Sequence, residues 1–168
     1  MTGTPLLTTP VQGTASDERY TPAWVFDGLG VTFDLDPASP VDGGDVVPAA
    51  HKLTRLDDGL ACDWAGLVWL NPPFSAAAPW ADKWRAQGGG IFLGPIANSR
   101  WWIDLAGAAD LLWLCRDFAF THPTHAGRRS SMPLAFVAMG VESAAALTRL
   151  AASGVHPGVL VQRTEEAR

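Results

Sequence analysis

A short segment in the middle of the chain combines residue types that ordinary packing does not require together. The apolar residues 67–70 suit a strand that is buried on both faces, and Asn71 follows them directly. Pro72 and Pro73 have no backbone N–H to donate, so the chain must leave the sheet there, and Phe74 comes next. Because α/β proteins bind ligands at the carboxyl ends of their parallel strands, this segment predicts a functional site at a strand tip.

The amide of Asn71 and the ring of Phe74 suit chemistry on the exocyclic amine of a nucleobase. The lone pair of such an amine is delocalised into the base, and two acceptors on its hydrogens localise it. Asn71 Oδ1 and the Pro72 carbonyl are a candidate pair, since proline fixes φ and restricts the residue before it. Phe74 offers a face on which an extruded base can stack, an interaction worth about 1–3 kcal/mol. The alternative interpretation is an ordinary proline-rich turn after a strand.

Strand and helix patterns alternate on both sides of this tip. Apolar or alternating runs predict strands at 31–36, 67–70, 90–95, 110–115, 133–140 and 157–162. Helical patterns lie at 21–30, 75–88, 98–109 and 141–154, with Thr21 and Ser99 as N-caps. Residues 40–63 read largely as loop, with a short strand at Val46 and Val47. We therefore expect an α/β fold with an open, mostly parallel sheet flanked by helices, in which residues 1–16 are a flexible leader and residues 17–168 form a single domain.

The composition limits the possible partners. The 168 residues are 48% hydrophobic and 17% charged, which is typical of a globular chain large enough to bury a core. Because the formal net charge is −5, any DNA contact must come from a local basic cluster. Cys62 and Cys115 lie in no metal-binding spacing, which predicts buried free thiols and no metal site. The chain shows no secretory signal and no apolar stretch of membrane-spanning length, so we expect a cytoplasmic protein without membrane contacts.

Several motifs resemble one family when they are taken in order. The tetrapeptide NPPF is similar to the catalytic motif of S-adenosylmethionine-dependent amino-methyltransferases. The segments ERYTPAWVF, FDLDPAS, DDGLACDW and VWLNPPF resemble, in this order, the phage-type DNA N6-adenine methyltransferase (Dam) family, and LGPIANSRWW and CRDFAF resemble its later blocks. The resemblance covers roughly residues 17–120. It implies a compact Rossmann-like methyltransferase fold, S-adenosyl-L-methionine as cofactor, double-stranded DNA as substrate, and the cytoplasm of a bacterial or phage-infected cell.

The resemblance also implies roles for individual residues. Asn71, Pro72, Pro73 and Phe74 match the catalytic motif, and the cofactor-binding candidates are Tyr20, Thr21, Pro22, Asp34, Asp36, Pro37 and Asp58. Tyr20 to Pro22 would help to hold the amino-acid end of the methyl donor, although Thr21 as a simple N-cap remains open. Asp34 and Asp36 would lie at the tip of the first strand, where a carboxylate accepts from the donor's ammonium or ribose hydroxyls, and Asp36 is the favoured one. Asp58 would lie near the adenosyl end, unless it belongs to a solvated turn.

The chain departs from most methyltransferases directly after its first acidic strand. A glycine-rich loop of the form DxFxGxG is usual there, whereas DPASPVDGGD supplies glycines only at Gly43 and Gly44. About thirty residues separate the DPAS and NPPF strands, which is too few for two complete βα units. We therefore expect a short or rearranged donor loop and no full helix between these strands.

Basic residues that could contact DNA are concentrated in one predicted loop. Residues 121–133 contain His122, His125, Arg128 and Arg129, which suit phosphate contacts next to the active site, although a solvated connection is the alternative. The other candidates are Arg100, Lys83 and Arg85 for charge, and Trp101 and Trp102 for stacking, although tryptophans in helices more often pack in the core.

Two further functions remain open from the sequence. A protein glutamine-N5 methyltransferase also uses an Asn-Pro-Pro-aromatic tip, but that class carries the glycine-rich donor loop and usually a separate substrate domain. A catalytically silent donor-binding protein agrees with the missing glycine-rich loop but not with an intact NPPF.

Overall fold

The apolar runs of the sequence form the strands of a central sheet. A computed structural model describes residues 19–41, 46–122 and 127–163. The strands are β1 (Phe33–Ser39), β2 (Ala49–Thr54), β3 (Val68–Leu70), β4 (Gly90–Pro95), β5 (Leu111–Cys115), β6 (Ala119–Phe120), β7 (Arg128–Arg129), β8 (Leu134–Met139) and β9 (Gly158–Gln162). The predicted leader, residues 1–16, lies outside the described residues, as does His125.

The main sheet is mixed and mostly parallel. Its seven strands in the described part of the chain have the order β2-β1-β3-β4-β8-β5-β9, and β6 and β7 form a separate two-stranded ribbon. Strands β1 to β4 pair in parallel, β8 is antiparallel to both β4 and β5, and β9 is antiparallel to β5. The strands β1 to β5 therefore share one direction, which confirms the prediction of a mostly parallel sheet.

Helices cover both faces of this sheet. They are α1 (Ala23–Leu29), α2 (Ala77–Gln87), α3 (Arg100–Ala108) and α4 (Val141–Ala152). Because side chains alternate along a strand, Trp69 packs with α1 and α4 on one face, whereas Val68 and Leu70 pack with α2 and α3 on the other. The helices α1 and α2 end at Gly30 and Gly88, whose φ angles of 62° and 86° are in the left-handed region.

The structure differs from the sequence prediction at several elements. The short strand expected at Val46 and Val47 is wrong, because β2 lies at Ala49–Thr54 as a polar edge strand whose pattern is not apolar. Helix α1 has Pro22 rather than Thr21 at its N-cap. Ser99 is the N-cap of α3 as predicted, but its hydroxyl makes no capping hydrogen bond. As expected, no helix forms between β1 and β3 in the described residues 33–41 and 46–70.

Candidate active site

The order of the strands places the carboxyl ends of β1 and β3 beside each other. From β1 the chain passes to β2 on one side and then crosses to β3 on the other side, so the strand order reverses between β1 and β3. Leu35 of β1 lies opposite Val68 of β3, and both strands run towards the same edge. In open α/β sheets, ligands bind outside the carboxyl ends of strands at such a reversal.

Asn71 leaves β3 at this edge with its side-chain amide held in one orientation. Its Nδ2 donates to the Arg19 carbonyl at 2.9 Å and to Thr21 Oγ1 at 3.4 Å. Because the Arg19 carbonyl can only accept, the NH2 group must face it and Oδ1 must face the other way. Asn71 Oδ1 is buried and has no hydrogen-bond partner among the residues that the structure describes. A buried acceptor without a partner is costly, which makes this oxygen a candidate for contact with a ligand.

The two prolines turn the chain from β3 into α2. Pro72 is buried, and Pro73 has a φ of −55° and a ψ of 119°. The Pro73 carbonyl accepts from the Ala76 N–H at 3.0 Å and closes a single 3₁₀ turn, Phe74–Ala76, which leads directly into α2. The rigidity of the prolines therefore fixes where Asn71 and Phe74 stand relative to the sheet.

The Phe74 ring is half-buried and already has a cation on its face. Its centroid lies 5.9 Å from that of Phe120 in an edge-to-face arrangement, and Arg19 Cζ lies 4.2 Å from its centroid. Arg19 Cζ also lies 6.0 Å from the Phe120 centroid. Sequence reasoning missed both Arg19 and Phe120; the only signals for them are the motifs ERYTP and CRDFAF that contain them.

The segment that contains Tyr20 and Thr21 joins the Asn-Pro-Pro-Phe tip to the chain after β6. The Tyr20 carbonyl accepts from the Thr121 N–H at 2.8 Å and from its hydroxyl at 3.1 Å. Tyr20 and Thr21 are both buried, and the Tyr20 ring lies edge-on to His122 at 5.1 Å. Three distant parts of the sequence, around residues 20, 71 and 120, therefore meet in one place.

The two acidic residues of β1 have different surroundings. Asp36 is 2% exposed, and its carboxylate accepts from the Ala38 N–H at 3.2 Å and from Ser39 Oγ at 3.1 Å. Pairing with β2 becomes irregular between Asp36 and Ser39, so Asp36 lies where β1 begins to leave the regular sheet. Pro37 beside it is buried.

The expected position of Asp34 at the strand tip is wrong. Asp34 is the second residue of β1, near its amino end, and its carboxylate accepts from the Leu67 N–H at 2.6 Å. This contact stabilises the start of β3 on the edge opposite to Asn71. Asp34 therefore has a structural task, and we do not retain it as a donor-binding residue.

The loop that follows β2 packs against the carboxyl half of β1. Asp57 accepts from the Thr54 N–H and hydroxyl at 2.8 and 2.9 Å, and these bonds lower its pKa below the ordinary 3.8. Asp58 is partly buried and has a left-handed φ of 51°. A Cβ on Gly59 would lie 2.2 Å from the Pro37 carbonyl oxygen, so only glycine fits there.

Comparison with known protein families decides the affiliation of the chain. The sequence model of the family described as DNA N-6-adenine-methyltransferase (Dam) matches residues 8–140. The chain belongs to this family. Searches among curated proteins and among solved structures give no significant match. The Dam match includes β1 to β8 and all the segments that meet around Asn71, and α4 and β9 follow it.

Two of the basic residues predicted to contact DNA, Arg128 and Arg129, lie on the ribbon strand next to Phe120. Arg128 of β7 pairs with Phe120 of β6, and Arg129 pairs with Ala119, so the exposed arginines extend from the strand whose Phe120 contacts Phe74. Arg100 at the start of α3 has a 93% exposed side chain, 3.6 Å from Asp104. Trp102 is buried and Trp101 packs on Phe92, so these two tryptophans contribute to the core.

Three further features bear on the chemistry and surroundings of the site. Within residues 19–41, 46–122 and 127–163, no group of three His, Cys, Asp or Glu side chains is arranged to hold a metal ion. In the same part of the chain, every helix is too short or too polar to cross a bilayer.

Both cysteines are free: Cys115 is buried, whereas Cys62 is only partly buried, and burial raises the pKa of the Cys115 thiol to about 12.

Proposed function

We propose that this protein transfers a methyl group from S-adenosyl-L-methionine to the exocyclic N6 amine of an adenine that is extruded from double-stranded DNA. Membership of the Dam family implies DNA adenine-N6 methylation at the family level. The observation that carries the proposal for this chain is the Asn71 Oδ1 atom, which is buried, oriented and without a partner among the described residues. The N6 amine of adenine has the N–H donors that such an acceptor requires.

Asn71 and Pro72 would act on the amine by holding it. Oδ1 accepts one N6–H and the Pro72 carbonyl accepts the other, so the nitrogen lone pair is turned away from the ring system and towards the methyl donor. The Arg19 carbonyl and Thr21 hydroxyl maintain Oδ1 in this orientation through Nδ2. The contribution of the chain is therefore positioning and oriented acceptors rather than a strong base.

The residues around Asp36 fit a methyl donor. Asp36 is the only carboxylate that is buried in the described part of the chain, and it lies in the carboxyl half of β1. Its position there, beside the reversal of strand order, suits hydrogen bonds from an ammonium or from ribose hydroxyls. Tyr20, Thr21, Pro22, Pro37 and Asp58 are the other residues that we assign to this site. S-adenosyl-L-methionine would supply the methyl group: the N6–C bond would form as the sulfonium C–S bond breaks, S-adenosylhomocysteine would leave, and the amine would then lose one proton to solvent.

Phe74 would stack on the extruded base. The guanidinium of Arg19 lies on the Phe74 ring, so a base that stacks on this face must take its place. A cation–π contact is worth about 0.5–2 kcal/mol, depending on its exposure, and base stacking on an aromatic residue is worth about 1–3 kcal/mol. Stacking of a base therefore offsets the loss of the guanidinium contact with the ring.

DNA phosphates would be contacted by three exposed arginines: Arg128 and Arg129 on β7, and Arg100 at the start of α3. Such contacts fix the position of the duplex without reading its sequence.

Identification of the modified nucleoside tests this proposal. Purified protein is incubated with genomic DNA that lacks adenine methylation and with S-adenosyl-L-methionine, and the nucleosides are then separated by mass spectrometry. We expect N6-methyladenine, and none when the donor is omitted. N4-methylcytosine alone, or a methylated glutamine in a protein with no modified base, would overturn the proposal.

A further inference from the structure

Lys83 on α2 binds the main chain of the loop that contains Asp58. Its Nζ donates to the Leu60 carbonyl at 2.7 Å, to the Gly59 carbonyl at 3.4 Å and to the Cys62 carbonyl. An ammonium group has three donors, and these contacts use all of them. Nζ also lies 4.8 Å from the centroid of the Trp64 ring. A single side chain thus holds together the segment that we call the 57–64 loop.

The 57–64 loop is also connected to the sheet. The Trp64 Nε1 donates to the Gly59 carbonyl at 2.7 Å, and the Trp64 ring stacks on Trp80 of α2 with a centroid distance of 5.9 Å. On its other side, Gly59 packs against the Pro37 carbonyl, one residue beyond the buried Asp36. The loop therefore lies at the carboxyl half of β1, where we place the methyl donor.

The sequence explains why this loop needs an external support. The segment DPASPVDGGD, which begins within β1, lacks the DxFxGxG form that usually surrounds the donor, so we expect the 57–64 loop to form part of that wall. The 57–64 loop contains no helix or strand, and its own backbone hydrogen bonds are few: Ala61 N–H donates to the Asp58 carbonyl at 2.8 Å. Without Lys83, the Gly59 carbonyl would keep its bond from Trp64 Nε1, whereas the Leu60 and Cys62 carbonyls would have to find water instead.

We propose that Lys83 is a positioning residue for methyl-donor binding: it holds the 57–64 loop against β1 in the shape that the donor requires, without touching the donor itself. This inference rests on the proposed function, because it assumes that S-adenosyl-L-methionine binds beside Asp36. It replaces the sequence-based expectation that Lys83 adds charge for DNA. A compact ammonium suits three converging carbonyls better than a planar guanidinium, whose donors are fixed in a fork.

The experiment compares Lys83→Met with wild type and with a control on the same helix. Methionine keeps an unbranched apolar side chain but removes the donors. Arg85→Met is the control, since the Arg85 side chain pairs with Asp82 at 3.3 Å near the end of α2 and contacts no residue of the 57–64 loop in the described part of the chain. Lys83→Arg retains a cation and should give values between those of wild type and Lys83→Met. Circular dichroism verifies that all the variants remain folded.

The first measurement needs no ligand. Cys62 lies in the loop, whereas the buried Cys115 thiol, with its pKa raised to about 12, stays protonated and unreactive. The rate of alkylation by N-ethylmaleimide in the folded protein therefore reports on Cys62. In Lys83→Met the loop loses its hydrogen bonds from a charged donor, so it should open more often and expose Cys62. We therefore expect Cys62 in this variant to react roughly tenfold faster than in wild type. Arg85→Met should react at the wild-type rate. An unchanged rate in Lys83→Met would overturn the role of Lys83 in holding the loop.

The second measurement is the affinity for S-adenosyl-L-methionine by calorimetry. We expect the dissociation constant of Lys83→Met to rise roughly tenfold, in parallel with the labelling rate, and that of Arg85→Met to stay at the wild-type value. Faster labelling with an unchanged dissociation constant would overturn the link between the loop and the donor while leaving the proposed function intact. Absence of donor binding in the wild type would overturn the proposed function and this inference together.

Discussion

The Phe74 ring has an aromatic neighbour and a cationic neighbour at the place where we expect the target base to stack. In the structure its face carries the Arg19 guanidinium, and its edge contacts are with Phe120. Both are compatible with a ring that binds a flat π-system, because a guanidinium is itself planar and stacks on aromatic rings. The motif ERYTP therefore supplies the side chain that occupies the position where we expect the base.

Substitution of Phe74 tests this assignment. Phe74→Ala removes the stacking face but leaves Asn71 and Pro72, so we expect the KM for DNA to rise by roughly one to two orders of magnitude. The affinity for S-adenosyl-L-methionine should remain unchanged. Phe74→Trp keeps a ring and is expected to retain most activity. Steady-state kinetics with DNA as the varied substrate give the answer, and a wild-type KM in Phe74→Ala would rule out stacking on this ring.

At the residue scale, the sequence predicted that Asn71 to Phe74 follow a strand, but not the contacts that orient Asn71. The order Asn71-Pro72-Pro73-Phe74 after an apolar strand was sufficient to expect an oriented acceptor and an aromatic face. The partners of Asn71 were not predictable, since the Arg19 carbonyl is about fifty positions away and meets Asn71 only through the fold. Asp34 and Asp36 share a motif, but only the register of β1 with β3 shows that Asp34 contacts Leu67 at the opposite edge.

The loop after β2 is the element whose conformation the account depends on most. Gly59 is the residue of this loop that faces β1. A Cβ added to Gly59 would lie 2.2 Å from the Pro37 carbonyl oxygen and 3.1 Å from the Trp80 ring. Backbone cannot yield at such a contact as a flexible side chain can. The close approach of loop and strand therefore requires glycine.

A pair of glycine substitutions tests this packing. Gly59→Ala should lower the free energy of unfolding by about 1–3 kcal/mol, because the methyl group collides with the main chain. Gly107→Ala is the matched control: it lies within α3 with no atom within 4 Å of its Cβ, so it should stabilise the protein by about 0.5–1 kcal/mol. Thermal unfolding measures both. Equal melting temperatures for the two variants would contradict the described contact between Gly59 and Pro37.

At the element scale, strands that contain an apolar run were predictable and strands without one were not. The strand GIFLGP coincides with β4 because all its residues are buried and apolar. In contrast, β2 has the sequence AAHKLT and lies at the sheet edge, where tertiary pairing rather than hydrophobic pattern makes it a strand. The same applies to β7, whose two arginines are exposed and pair with β6.

At the scale of the whole molecule, the formal net charge of −5 opposes DNA binding, so a local basic surface must provide the attraction. Arg128 and Arg129 are adjacent on β7, across from the strand that contacts Phe74. In contrast, Arg85 lies in the last turn of α2, and the Arg163 main chain contacts Asp110 before β5. These two arginines lie at the opposite edge of the sheet and make a charge-matched control.

Neutralisation of the two pairs tests the DNA-binding surface. Arg128→Gln with Arg129→Gln should reduce the slope of log K against log salt concentration by about two, because two phosphate contacts and their released counterions are lost. Arg85→Gln with Arg163→Gln changes the net charge equally and should leave the slope unaltered. Fluorescence anisotropy with labelled duplex DNA at several salt concentrations gives the slopes. Equal slopes for the two double variants would place the DNA on another surface.

The central claim is that Asn71 Oδ1 accepts a hydrogen bond from the target amine and not from the methyl donor. The most direct test measures, in one preparation of Asn71→Ala, the initial rate of methyl transfer to DNA and the affinity for S-adenosyl-L-methionine. We predict that the rate falls by about 10²-fold or more, since an oriented polar group at the reacting centre is lost. The donor affinity should stay at its wild-type value. Methyl transfer at the wild-type rate, or a loss of donor binding that accounts for the whole loss of activity, would contradict the account.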